Sequence, residues 1–179
     1  MTRKSIITLH LFLAAFLTPI LIVIAISGGF YLFGEKGSVA EHPIYQGELG
    51  KFNFKTKDKE AQVKQFLAEN NIEHSFDYVK GGGNFMVTRP TSKTHLLFER
   101  EKGQLIVTKR EPDFIAAIIE IHKGHGSRAM KLFQKVMAFA LIVVLLSGLY
   151  LGLSSAMLRT KTLAISGAGL ATFLLLVLL

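Results

Sequence analysis

Residues 6–33 read IITLHLFLAAFLTPILIVIAISGGFYLF, twenty-eight positions without an Asp, Glu, Lys or Arg. As a helix this run is about 42 Å long, against a hydrocarbon core of about 30 Å. A charge-free stretch of that length decides the class: the chain crosses a membrane, and tilt or an interfacial end absorbs the excess. Pro19 lies inside the run and predicts a kink. The alternative is a cleaved signal peptide, with Ser27, Gly28 and Gly29 as the cleavage region. The run is much longer than an ordinary signal-peptide core, so it reads as a retained anchor.

Two more apolar blocks lie toward the other end. VMAFALIVVLLSGLYLGL covers residues 136–153, on a helix expected to begin near Ser127. LAISGAGLATFLLLVLL covers residues 163–179. The last is at the short end of the spanning range. Arg3 and Lys4 precede the first span, and Arg159 and Lys161 separate the second from the third. The positive-inside tendency puts both basic segments in the cytoplasm. Lys123, Arg128, Lys131 and Lys135 at the outer end of the second span oppose that assignment. The expected organisation is a cytoplasmic N-terminus and first span (1–34), an extracytoplasmic domain with its linker (35–126), a second span (127–155), a cytoplasmic loop (156–162) and a third span (163–179). The soluble domain is expected outside the cytoplasm.

The middle of the chain has ordinary polarity. Glu35 to Lys51, with Gly37, Pro43, Gly47 and Gly50, reads as a linker or irregular segment. DKEAQVKQFLAEN, residues 58–70, reads as an amphipathic helix with Val63, Phe66 and Leu67 on its apolar face. Strand patterns follow at 75–80, 84–89, 95–100 and 104–109, with turns at Gly81–Gly83 and around Glu101–Gly103. Residues 113–123 return to a helical period, with Pro112 in a first-turn position. Gly124 and Gly126 then either bend the chain or sit inside one continuous helix. The fold class is an α-helical integral membrane protein with a small extracytoplasmic α+β domain.

The histidines carry the functional argument. His10 lies inside the first span, where an imidazole is costly unless it is satisfied or bound to something. His122 and His125 precede the second span in IIEIHKGHGSRAMK. Imidazoles at the ends of membrane helices suit the axial positions of a b-type haem. For His10 the other reading is a histidine hydrogen-bonded to a neighbouring helix. For His122 and His125 it is a solvated, glycine-rich corner. Spaced i, i+3, these two share a face if the helix is continuous; they are then alternative haem ligands, or one binds haem while the other helps bind iron substrate or relays a proton. His10 and the later pair lie at opposite membrane faces and cannot meet across a straight span of about 30 Å. Pairing by two-fold symmetry in a homodimer, a bent helix or a second protein would each complete a site, and the homodimer is favoured.

The layout resembles the PepSY-associated transmembrane family. The resemblance rests on LHLFLAAFLTPILIVIAISGGFYLF, on the intervening α+β segment and on IHKGHGSRAMKLFQKVMAFALIVVLLSGLYLGL. The matching positions are His10, Ser27, Gly28 and Tyr31 in the first part, and His122, Gly124 or Gly126, Ser147 and Gly148 in the second. It implies a small three-span ferric reductase with b-type haem, which passes electrons to ferric iron or a ferric chelate outside the membrane in support of ferrous uptake. The partners implied are a separate electron donor such as quinol or a reductase, and an iron transporter. This chain has fewer intramembrane histidines than larger members. The same resemblance is compatible with a membrane-anchored binding or regulatory module without redox activity.

Other features carry less. Met157 is a further haem-ligand candidate or interfacial packing. Gly148 and Gly152 have the spacing of a close helix contact. His42, His74 and His95 read as surface or structural residues, and Glu35, Glu41 and Asp77 have no metal-ligand spacing. The chain has no cysteine, which excludes disulfides and thiolate sites. KGGGN at 80–84 lacks the Lys–Ser/Thr of a phosphate loop, and no dinucleotide or hydrolase motif is present. The net charge of +8 gathers at membrane boundaries, where it contacts anionic lipid; no nucleic-acid-binding motif accompanies it.

Overall fold

The computed structural model describes residues 2–179. Three helices are long and apolar enough to cross a membrane: α1 (Arg3–Leu32), α4 (Arg128–Leu153) and α5 (Arg159–Leu178). Between the first two lies a small mixed domain containing β1 (Val39–Glu48), α2 (Lys59–Glu69), β2 (Tyr78–Gly82), β3 (Phe85–Arg89), β4 (His95–Glu101), β5 (Gln104–Pro112) and α3 (Phe114–His122). The protein is therefore an integral membrane protein with a five-stranded extramembrane domain. The chain divides into two units, one comprising the chain up to Leu21 with Lys135–Leu179, the other Ile22–Gln134.

In the first unit the helices expose most of their apolar side chains, as lipid-facing surfaces do; Leu17 and Met137 are buried. Pro19 removes one helical donor, and one residue earlier the Thr18 hydroxyl donates to the Ala14 carbonyl at 2.7 Å. A turn at Ser154–Leu158 separates α4 from α5. There Gly152 faces Thr162 so closely that a Cβ would meet the threonine Oγ1 at 2.6 Å.

In the second unit the strands form one antiparallel sheet, ordered β1-β5-β4-β3-β2. The period-2 alternation sends Met86, Leu96, Phe98, Leu105 and Val107 to one face, where Val63, Phe66 and Leu67 of α2 cover them. Phe52 stacks on Phe98 with ring centroids 5.4 Å apart, and Phe66 meets both rings edge-on. Asp58 caps α2 by accepting from Ala61 N. The opposite face carries Val87, Leu97 and Arg110, and α3 packs along β5 there.

The segment expected to be a linker forms β1 instead. It pairs with β5 from Val39↔Pro112 to Glu48↔Gln104, with a register shift between Pro43 and Tyr45. Pro43 hid the strand, yet an edge strand tolerates a proline beside an irregularity. Pro112 ends β5, and Asp113 is the cap of α3. The chain breaks between α3 and α4, with Gly124 at φ +75°.

Candidate functional site

His10, His122 and His125 each enter a polar contact: two histidine clasps and one carboxylate knot. In the first unit, His10 on α1 reaches Ser147 on α4, Nδ1 to Oγ at 2.9 Å. The Ser147 hydroxyl donates to the Val144 carbonyl at 3.0 Å. Its proton is thus committed within its own helix, so Ser147 accepts and His10 Nδ1 carries the hydrogen. The ring lies against Gly148, where a Cβ would meet Cε1 at 3.1 Å.

The second unit repeats the arrangement. Ser27 on α1 donates to the Ile24 carbonyl at 2.9 Å and accepts from His122 Nδ1 at 2.9 Å. The Ile24 carbonyl, an acceptor only, lies 3.1 Å from the same Nδ1. A Cβ on Gly28 would meet His122 Cε1 at 3.2 Å. Both serines precede a glycine, in SGGFYL at 27–32 and SGLYL at 147–151. Each Ser–Gly step thus receives an imidazole from another segment. An imidazole that donates through Nδ1 carries, in its neutral form, the lone pair on Nε2. Every hydrogen bond of either ring among the described residues runs through Nδ1.

His125 does not share a helical face with His122. It lies beyond the end of α3, and its Nδ1 donates to Glu120 Oε2 at 2.7 Å. Glu120 also accepts from Thr91 Oγ1 at 2.5 Å and Lys123 Nζ at 2.5 Å, with Arg89 at 3.5 Å. Burial alone would raise the Glu120 pKa. Donation by Lys123, Thr91 and His125 overcomes this and holds it at about 2. Burial is also the main force on Arg89, drawing its pKa down against the opposing pull of Glu120. His95 and His74 are held below the usual histidine range, in both cases chiefly by burial.

The knot closes one end of a cavity of about 710 Å³ between α3 and the second face of the sheet. Phe85, Val87, Leu97, Ala116 and Ile119 supply apolar walls. Lys36, Arg89, Arg100, Arg110 and Lys123 face it, against Glu41, Glu99 and Glu120. Sequence reasoning missed Glu120, Arg89 and Thr91. The signal for Glu120 was present: it is the lone charge between Asp113 and Lys123 in an otherwise apolar helix.

His10 belongs to one unit, His122 and His125 to the other, and the latter two turn to different partners. No group of three or more His, Asp or Glu placed to hold a metal ion occurs among the described residues. Glu41 pairs with Arg110, and Asp77 accepts from the Arg128 backbone nitrogen. Haem iron, however, takes an imidazole through its bare nitrogen while the other nitrogen is fixed by an outer hydrogen bond. The donor set of His10 and His122 fits that pattern.

The chain matches the PepSY_TM-like family model over residues 51–179. No curated protein and no solved structure matches the chain.

Proposed function

The chain belongs to the PepSY_TM-like family, and on that premise we propose that it is a membrane-anchored binding or regulatory module. The observation that carries this reading is the half-covered sheet. One face is sealed by α2 and an aromatic core, while the other is left as a cavity of ligand size by the short α3. The three apolar helices supply the anchor, and the basic flanks at Arg3, Lys4, Arg159 and Lys161 favour an extracytoplasmic domain at a bacterial inner membrane.

The absence of cysteine gives a direct test. Phe85, 48% exposed at the cavity wall, is replaced by cysteine and labelled with a maleimide in native membranes and after purification. Lys64→Cys, on the exposed side of α2, is the control. Protection of the Phe85→Cys thiol in membranes, lost on purification, is the expected result. Equal labelling in both states refutes the reading.

A second reading is favoured by the histidine tautomers: a b-type haem protein that passes electrons to ferric iron outside the membrane. His10 and His122 would hold the haem through Nε2, and the haem would supply the one-electron chemistry. Ser147 and Ser27 fix the tautomer and ring orientation, and Gly148 and Gly28 let the rings lie flat against the helices. Each chain offers one such nitrogen per clasp, so a second copy of the chain would supply the other histidine. Reduced-minus-oxidised absorption of the purified protein tests this. A low-spin haem spectrum lost in His10→Ala or His122→Ala supports it, and a folded protein without haem after expression with ample haem rejects it.

A further inference from the structure

The cavity beside α3 has more hydrogen-bond donors than acceptors. A guanidinium carries five N–H groups. Those of Arg89 that find partners lie on one terminal nitrogen, shared between Thr91 and, at 3.5 Å, Glu120. Glu120 has little left to offer, since its oxygens already take Lys123, Thr91 and His125. The Nε atoms of Arg89 and Arg110 are buried with no hydrogen-bond partner. The Arg89 side chain is 12% exposed, so water does little to compensate it.

The sheet places the two arginines close together. Glu41, Arg110 and His95 face one another across β1, β5 and β4. Arg89 stands two residues beyond Val87, the partner of Leu97, and so reaches the level of His95 on the neighbouring strand. Arg110 and Arg89 therefore flank His95 from two strands apart, about 10 Å along the sheet. Two arginine side chains can close that distance around one small anion. Beside them, Phe85 and Leu97 offer apolar surface. The three lining glutamates oppose a dianion, which favours a single negative charge. A planar carboxylate matches the fork of a guanidinium.

We propose that this cavity binds a carboxylate joined to an apolar chain, with Arg89 and Arg110 receiving the carboxylate and Phe85 and Leu97 the chain. The inference rests on the binding-module reading and names its ligand class. The carboxylate comes either from a free acid or from an acidic segment of a protein partner.

The test is isothermal titration of the full chain in nanodiscs, with empty nanodiscs as blank. One probe pair is hexanoate and hexanamide. The other is a capped pentapeptide of alternating valine and glutamate and its glutamine counterpart. We expect at least one acid to bind, with its amide about tenfold weaker or more, and a similar loss in Arg110→Gln and Arg89→Gln. The tighter acid identifies the source. Acid and amide binding alike, or arginine variants with unchanged affinity, overturns this inference and leaves the binding module standing. So does absence of binding by every probe while the Phe85→Cys thiol is protected in membranes. Absence of binding with that thiol unprotected removes both.

Discussion

Ser27 and His122, 95 residues apart, share a 2.9 Å hydrogen bond in which the serine accepts. The direction follows from a second bond, because the Ser27 hydroxyl already donates to the Ile24 carbonyl. His10 and Ser147 repeat the logic without the extra carbonyl contact. That difference separates the two clasps experimentally. Ser27→Ala leaves His122 Nδ1 with the Ile24 oxygen, so nitrogen NMR is expected to show the same tautomer as before. Ser147→Ala removes the acceptor seen for His10, and a mixed tautomer population is expected. The stability cost is about 1 kcal/mol for Ser147→Ala and less for Ser27→Ala. An unchanged His10 tautomer in Ser147→Ala would contradict the assignment.

The glycines against the rings behave differently from their neighbour. Alanine at Gly28 or Gly148 brings a methyl group within 3.2 or 3.1 Å of an imidazole carbon, so the ring must shift and its bond to serine lengthens. A methyl group on Gly29 would meet nothing within 4 Å. Gly29→Ala is expected to be neutral or stabilising by up to about 1 kcal/mol through helix propensity. Gly148→Ala is expected to destabilise by about the same amount. Thermal unfolding of the three variants in one detergent compares them, and a uniform shift would refute the contrast.

Acid acts on the extramembrane domain in two windows. His95 and His74 have pKa values lowered by burial, so the folded state binds fewer protons there. Their contribution is present above about pH 6.5 and is lost as pH falls through the folded values. Glu120 is depressed from 4.5 to about 2. Its contribution is present above the unfolded value and is lost as pH falls toward 2. Full ionisation is worth roughly 2–3 kcal/mol, reduced from the full linkage figure because Lys123 is half exposed. Protection factors of the sheet amides, taken relative to intrinsic exchange at each pH, are expected to fall first below pH 6.5 and again below about pH 4.5. Glu120→Gln is expected to shrink the second step to the part left by Asp113 and Glu111, whose carboxyls are also held low by their hydrogen bonds; an undiminished step in the variant would reject the assignment.

The start of α3 is held by one carboxylate. Asp113 accepts from Ala116 N at 2.8 Å, from Ser38 N at 2.7 Å and from Ser38 Oγ at 2.9 Å. Asp113→Ala is expected to destabilise the domain, since it removes a capping bond and the tie to Ser38. Gly37→Ala is expected to cost more. Its φ is +70°, and a Cβ there would collide with the Ala116 backbone nitrogen. Thermal melts would show the order, and a larger loss for Asp113→Ala would reverse the argument.

Much of the architecture was legible because it follows from periodicity. The three spans, α2 with Val63, Phe66 and Leu67 inward, and the strands around Glu101–Gly103 declare themselves by spacing and by turn residues. β1 did not, because Pro43, Gly47 and an irregular register blur its alternation, and its stability comes from β5 rather than from its own residues. The histidines could be singled out by position, yet their partners could not. Ser27 for His122 and Ser147 for His10 are long-range pairings that no local rule predicts. The Glu120 knot was hidden for the same reason: Thr91 and Arg89 come from across the sheet. Only the oddity of one carboxylate among isoleucines and alanines marked the place.

The bond from Asp113 back to Ser38 joins the two ends of the sheet domain, since Ser38 precedes β1 and Asp113 follows β5. An insert whose ends already touch makes no demand on the geometry of the chain that carries it. The sheet is thus a closed detour: the chain enters at Ser38 and leaves at Asp113 through one pinned point before going on to α3.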